Sequence, residues 1–531
     1  MKPNASHYLL LSLSLLSFSA IARNLDGKSS HVGAHILRRG IPIATTASSS
    51  ANGDDPEEPL TSTDSSEDDT ADDPRPDKTT DPATATSTSS VPTEIPVPCL
   101  IFPKDEATME EKEDFISLLN KELGNGNYRE TSDTVTLFVS ADITSTQRTI
   151  ISRDPLVGGI EPDVHTYSDS EQSVLAENSK RHGDVPEKWW MKSQDKLRKI
   201  RKRAMVEQKN APTELVMLSQ PPRVGLSTLK SYTYDDSAGA GVTVYVLDKG
   251  YNTKNSEYTG MAVKPRWIFA GSQADDPVMD DLAHDGHGSC VASKINGPKY
   301  GVAKKASLVI VKAGPNVGDT LDGLSLILQD IRKNKVQGQA VVSFSRSLAN
   351  LRQYQKIMMR SYIEEITKED VVFITAAGND NRAAVSYGIA TAVDVDRWPA
   401  VLAKDGVPII NVGAVDNAGK NSPLSKRGPL VHVMAPGVQV HCAANSDTFE
   451  TQRMSGTSVA ASAVAGLAAY LLALGKHPEL YQAGRVAENM KKVLMDSAYE
   501  RVPGGGRVAY NGYRSGVIPL PPDALPPVVS R

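Results

Sequence analysis

Cysteine is scarce: three residues in a chain of 531 cannot staple a small disulfide scaffold. The 39 glycines follow no G-x-y period, which excludes a collagen-like chain. Basic charge is not in excess either. Lys plus Arg number 58 against 63 Asp plus Glu, a formal charge of −5, which argues against nucleic acid as the main partner. Aromatic residues make up 5%. Beyond the N-terminus long apolar runs are lacking, since the longest, 459–474, is dominated by Ala, Ser and Gly. That run predicts a helix packed closely inside a core rather than a membrane span. What is present is length, enough for about three folded units.

The N-terminus supplies an address. Lys2, an apolar stretch over 8–20 and the Ala20-Ile21-Ala22 cleavage-like tripeptide predict a secretory signal over 1–22 and a secreted, extracellular product. Residues 23–97 include a Ser/Thr/Pro-rich stretch with many carboxylates, among them Asp54, Asp55, Glu57, Glu58, Asp68 and Asp69. Such a composition buries too little apolar surface to offset its ordering entropy and is expected to be disordered. Over 98–163 the pattern reads as a small α+β unit: a strand at 99–103, an amphipathic helix at 109–123, and a second strand at 134–139. A polar linker, 164–210, follows, rich in Lys196, Arg198, Lys199, Arg201, Lys202 and Arg203. Lys202-Arg203 is either a dibasic processing site or part of a solvated basic helix. A Pro-rich tail closes the chain over 517–531.

The large unit, 211–516, alternates strand and helix. Apolar, β-branched runs at 241–247, 307–311, 339–344, 371–375 and 408–412 lack polar alternation and read as strands buried on both faces. Helical patterns at 319–335 and 351–368 lie between them. The expected fold is α/β: a doubly wound, mostly parallel sheet with helices on both faces, preceded by the small α+β domain. Ligands bind such sheets at the carboxyl ends of the strands. Asp248 and Asn379 stand at two such ends, His287 at an apparent helix start, and Ser458 at the start of the small-residue helix. His284 with His287 mimics a metal pair, but no third ligand stands at useful spacing, so zinc is discounted.

In this order the residues resemble the subtilisin-like serine proteases, particularly the secreted fungal type. The resemblance runs over about 241–475 and rests on five blocks: Val246-Leu247-Asp248-x-Gly250, His287-Gly288-Ser289, Ala376-Ala377-Gly378-Asn379, Val433-Met434-Ala435-Pro436-Gly437 and Ser455-Gly456-Thr457-Ser458-x-Ala460. It implies a serine endopeptidase acting on protein or peptide substrates as a monomer, with Asp248, His287 and Ser458 as the catalytic triad. Asn379 would supply an oxyanion amide. By the same resemblance Ser345, Arg346 and Ser347 would form the edge that pairs with an extended substrate, and Ala376, Ala377 and Gly378 a wall of the specificity pocket. The small unit is similar to the family's inhibitory propeptide, cut near 163, 203 or 210. No cofactor is required, and no loop can be assigned to the structural calcium that family members often bind.

Several positions depart from the family pattern. Lys249 stands where Ser or Thr is usual; it either reaches His287, lowering the pKa of the base, or points to solvent, the preferred reading. Arg346 and Ser347 replace an apolar residue and Gly, which predicts a narrower, more positive channel with a preference for acidic side chains. Ser289 replaces Thr, and Ser462-Ala463 replaces Pro-His. Cys290 and Cys442 either pair or remain two buried thiols, with Cys99 left over. The alternative function is a weak or inactive relative that binds peptides or proteins without turnover.

Overall fold

The computed structural model describes residues 94–131, 137–165, 204–281, 285–380, 393–446 and 448–513. These belong to one compact unit, Ser89–Arg531. The expected signal, most of the acidic segment, most of the basic linker including Lys202-Arg203, His284 and the Pro-rich tail lie outside the described residues.

The N-terminal part comprises β1 (Val97–Pro103), α1 (Met109–Leu123), β2 (Arg129–Glu130), β3 (Val139–Ile143), α2 (Ser145–Ile151) and β4 (Val157–Pro162). Its strands form an antiparallel sheet of order β2-β3-β1-β4 that carries the two helices. Thr108 and Glu111 close a reciprocal capping box at the start of α1. Alternation along β1 divides its side chains. Cys99 and Ile101 join Phe115, Leu119 and Ile143 in a core under the helices, while Leu100 and Phe102 pack into the core of the larger part. The second strand lies at β3, later than the expected 134–139, of which 134–136 lie outside the described residues. In β3, Val139, Ala141 and Ile143 are buried while Ser140 and Asp142 face outward, so its apolar signal is diluted by half.

A short antiparallel pair, β5 (Met205–Lys209) and β6 (Ser231–Asp235), leads into the larger part. The central strands there are β7 (Thr243–Asp248), β8 (Arg266–Ala270), β9 (Ser307–Ala313), β10 (Ala340–Phe344), β11 (Val372–Ala376), β12 (Ile410–Val415) and β13 (Val433–Pro436). With β16 (Tyr499–Glu500) and β17 (Arg507–Val508) they form a sheet of order β16-β17-β13-β12-β11-β10-β7-β9-β8. It is parallel except for the β16–β17 edge pair. Helices cover both faces. On one side α3 (His287–Asn296) and α6 (Thr457–Leu474) share a core with Val244, Val246, Ile310 and Val412. On the other, α4 (Val317–Asn334) and α5 (Gln353–Lys368) pack over Tyr245, Leu247, Val342 and Phe373. The fold is therefore the doubly wound α/β arrangement expected. Among the described helices α6 alone is long and apolar enough to cross a membrane, and 94% of that stretch is buried inside the protein. The chain leaves β7 toward β8 and β9 on one side and then continues from β10 on the other, so the strand order reverses at β7. A crevice at such a reversal is where open α/β sheets hold ligands.

The small sheet sits on the N-terminal ends of α4 and α5. The Glu161 carboxylate accepts from the N–H groups of Tyr354 (2.9 Å) and Gln355 (3.1 Å). Asp163 Oδ1 accepts from Gly318 N–H at 2.8 Å, and Val164 C=O from Val317 N–H at 3.0 Å. Helix N-termini leave N–H groups unpaired and carry partial positive charge, so two carboxylates satisfy both needs at once. Phe102 stacks on Tyr354 with ring centroids 5.3 Å apart.

Candidate active site

Asp248 ends β7, and His287 opens α3. The turn after β7 and the first turn of α3 touch backbone to backbone: a Cβ on Gly288 would collide with the carbonyl oxygen of Gly250, and one on Gly250 with that of Asp280. Gly250 also holds φ at +126°, which L side chains rarely adopt. The two glycines of the Asp-x-Gly and His-Gly motifs thus let the carboxylate and the imidazole approach. Ser289 fixes the same corner. Its N–H and hydroxyl both donate to Asp281 Oδ2 at 2.7 Å, and its oxygen accepts from Asn252 N–H at 2.8 Å. The exchange of Thr for Ser keeps the hydroxyl that these contacts use.

His287 Nδ1 lies 2.9 Å from Asp248 Oδ1, with both residues buried. A carboxylate at Nδ1 requires that nitrogen to carry the proton, which leaves the lone pair on Nε2. Burial favours the neutral imidazole, and the ammonium of Lys249 pushes the same way. The charge and hydrogen bond of Asp248, with help from Asp285, outweigh them, so the pKa of His287 lies above its ordinary value. Asp248 is held below the usual carboxylate range. Burial opposes this, and His287, the Arg346 guanidinium and the Lys249 N–H overcome it.

Asn379 follows β11, and its amide orientation is determined. Oδ1 accepts from the N–H of Thr457 (2.9 Å) and from its hydroxyl (3.1 Å), so Nδ2 is the end left to donate. Thr457 and Ser458 are the first residues of α6, which places the Ser458 N–H among the unpaired donors of a helix start. The Ser458 carbonyl accepts from Ser345 Oγ at 3.1 Å and from Ser462 Oγ at 3.2 Å. His287, Ser345, Ser347, Asn379 and Ser458 line one cleft of about 270 Å³.

Part of that lining is not visible among the sequence motifs. Gln452, Arg453 and Met454 also border the cleft, beside Ser455 of the Ser455-Gly456-Thr457-Ser458 block. The first three belong to β15 (Thr451–Met454), which pairs with β14 (Val440–Ala443). Gln452 Nε2 donates to the carbonyls of Gly286 and Ala443, both at 3.1 Å. A Cys290–Cys442 disulfide joins α3 to β14 and resolves the open pairing; Cys99 is free and buried. Each strand of this hairpin is four residues long, too short to register as an element in the sequence.

Three expectations change. Arg346 does not face the channel: it is buried, and its guanidinium donates to Gly314 O (2.9 Å), Thr320 Oγ1 (2.8 Å) and Ala313 O (2.8 Å). Carbonyls at the end of β9 and a helix hydroxyl capture it, which removes the basis for an acidic preference. Lys249 does not point to solvent but is buried at 8% exposure, with its charge acting on His287. Ala376 and Ala377 turn their side chains into the core. Gly378 keeps φ at +102°, with its N–H donating to Thr457 Oγ1 at 3.2 Å. None of these three borders the cleft that holds His287 and Ser458.

The subtilase family model matches residues 239–516, and the chain belongs to that family. It is 34% identical over 289 residues to Subtilisin-like protease 2 of Pseudogymnoascus destructans, covering 53% of this chain and 64% of that protein. It is 31% identical over 299 residues to Subtilisin-like protease 2 of Trichophyton verrucosum, covering 56% and 65%. The match thus spans a little under two thirds of these relatives. A cold adapted subtilisin-like serine proteinase of known crystal structure aligns with a TM-score of 0.45 at 24% identity, over 57% of this chain and the whole of that one.

Proposed function

We propose that the protein is a serine endopeptidase, exported and made as a zymogen. The observation that carries this is the 2.9 Å pair of Asp248 and His287, whose imidazole shares one cleft with Asn379 and Ser458. In the proposed reaction Ser458 Oγ attacks the scissile carbonyl while His287 Nε2 takes its proton. Asp248 holds the Nδ1–H tautomer and stabilises the imidazolium. The oxyanion is received by Asn379 Nδ2 and the Ser458 N–H at the positive end of α6. His287 then returns the proton to the leaving amine, and water releases the acyl group.

The 98–163 unit acts in this reading as the propeptide, supported by its carboxylate caps on α4 and α5. The buried disulfide suits an oxidising compartment. A fluorophosphonate probe tests the reading. The wild type is expected to label and Ser458→Ala to remain unlabelled; absence of labelling in wild type freed of its first 163 residues would leave a peptide-binding relative without turnover.

A further inference from the structure

Among the residues bordering the cleft segment 345–347, Arg346 is the one whose side chain leaves it. A buried guanidinium is costly unless its donors are paired. Here they are met by the carbonyls of Ala313 and Gly314, which end and follow β9, and by Thr320 in the first turn of α4. Its neighbour Ser345 donates from Oγ to the carbonyl of Ser458 at 3.1 Å. The two residues together make a continuous link from the β9–α4 corner, through the edge of the cleft, to the turn that carries the nucleophilic hydroxyl.

We propose that Arg346 is a positioning residue of the site: it locks the Ser345–Ser347 edge to the β9–α4 corner and, through Ser345, holds the start of α6. The kinetic consequences rest on the hydrolase reading; the mechanical link does not. An apolar residue could fill the same space, but it would leave the carbonyls of Ala313 and Gly314 without these donors and free the edge to shift. The planar fork addresses three acceptors on two elements, which a single ammonium cannot reproduce. The positive charge also helps hold Asp248 ionised, giving the residue an electrostatic signature separate from its packing.

The test compares wild type, Arg346→Leu and Arg346→Lys by peptide hydrolysis across pH and by hydrogen exchange. Arg346→Leu is expected to raise KM roughly tenfold, the scale of losing charge-assisted hydrogen bonds. It should also move the acid limb of kcat/KM to higher pH, because removing a cation that acts on Asp248 makes the Asp248–His287 pair easier to protonate. Arg346→Lys is expected to return the acid limb to its wild-type position while recovering only part of KM. Backbone amides at 345–348 and 457–460 should exchange faster in Arg346→Leu. A variant that loses thermal stability yet keeps the wild-type KM, acid limb and exchange at both segments would overturn the proposal. If wild type neither labels with fluorophosphonate nor cleaves peptides, the hydrolase reading fails. The exchange comparison then decides the mechanical link by itself, faster exchange at both segments supporting it and unchanged exchange overturning it.

Discussion

Asp163 offers a measurable handle on how the N-terminal unit is held. Its carboxylate caps α4 through Gly318 N–H, yet its pKa is pushed up to about 6 from an ordinary 3.8. Burial is the main cause, with Asp319 and Asp142 adding to it, while Gly318 N–H and the Asn316 side chain pull the other way. In the undocked unit the group would return toward 3.8, so the docked form binds its proton more tightly. Docking therefore strengthens as pH falls from about 6 toward 4 and weakens as pH rises through 6. The rise from 3.8 to about 6 corresponds to at most about 3 kcal/mol of docking free energy. Asp163→Asn keeps an oxygen to accept from Gly318 but cannot titrate. In Ser458→Ala protein spanning residues 1–531, chosen because the proposed reaction needs Ser458, pulse proteolysis in urea at pH 5, 6 and 7 reads the release of the unit. The wild-type unit should detach at lower urea as pH rises, and Asp163→Asn should flatten that dependence. Equal slopes in the two proteins, or tighter wild-type docking at pH 7 than at pH 5, would refute the reasoning.

Two further outcomes follow from the site. Lys249→Thr removes a buried cation that favours neutral imidazole, so the pKa of His287 should rise and the acid limb of kcat/KM move to higher pH; an unmoved limb counts against the assigned electrostatics. Asn379→Ala should lower kcat about 10²- to 10³-fold with little change in KM, the cost of one oxyanion donor, a scale itself measured on a subtilisin. Comparable losses in KM would mean that the amide binds the ground state.

The parallel strands are legible in the sequence because burial on both faces leaves uninterrupted β-branched runs, as at Val244-Tyr245-Val246-Leu247. The positions of Asp248, His287, Asn379 and Ser458 are legible because each is flanked by residues that close backbone approach demands, Gly250 and Gly288 above all. Side-chain direction is not. Arg346 and Lys249 carry charge in a pattern that reads as exposed, and long stems let such groups turn inward wherever acceptors or counter-charges wait. The acceptors of Arg346 come from Ala313, Gly314 and Thr320, about thirty positions away, and no local pattern announces them. The β14–β15 hairpin escapes for a different reason: four-residue strands carry too few alternations to stand out.

The covalent link between Cys290 and Cys442 spans 152 positions of sequence and lands three residues past the imidazole. Closing so long a loop costs conformational entropy that weak contacts alone would have to offset in the folded state. The bond transfers that entropic burden to the unfolded chain. Fraying can then begin at the sheet margins or the outer helices while His287 and the β14–β15 flank of the cleft stay in register.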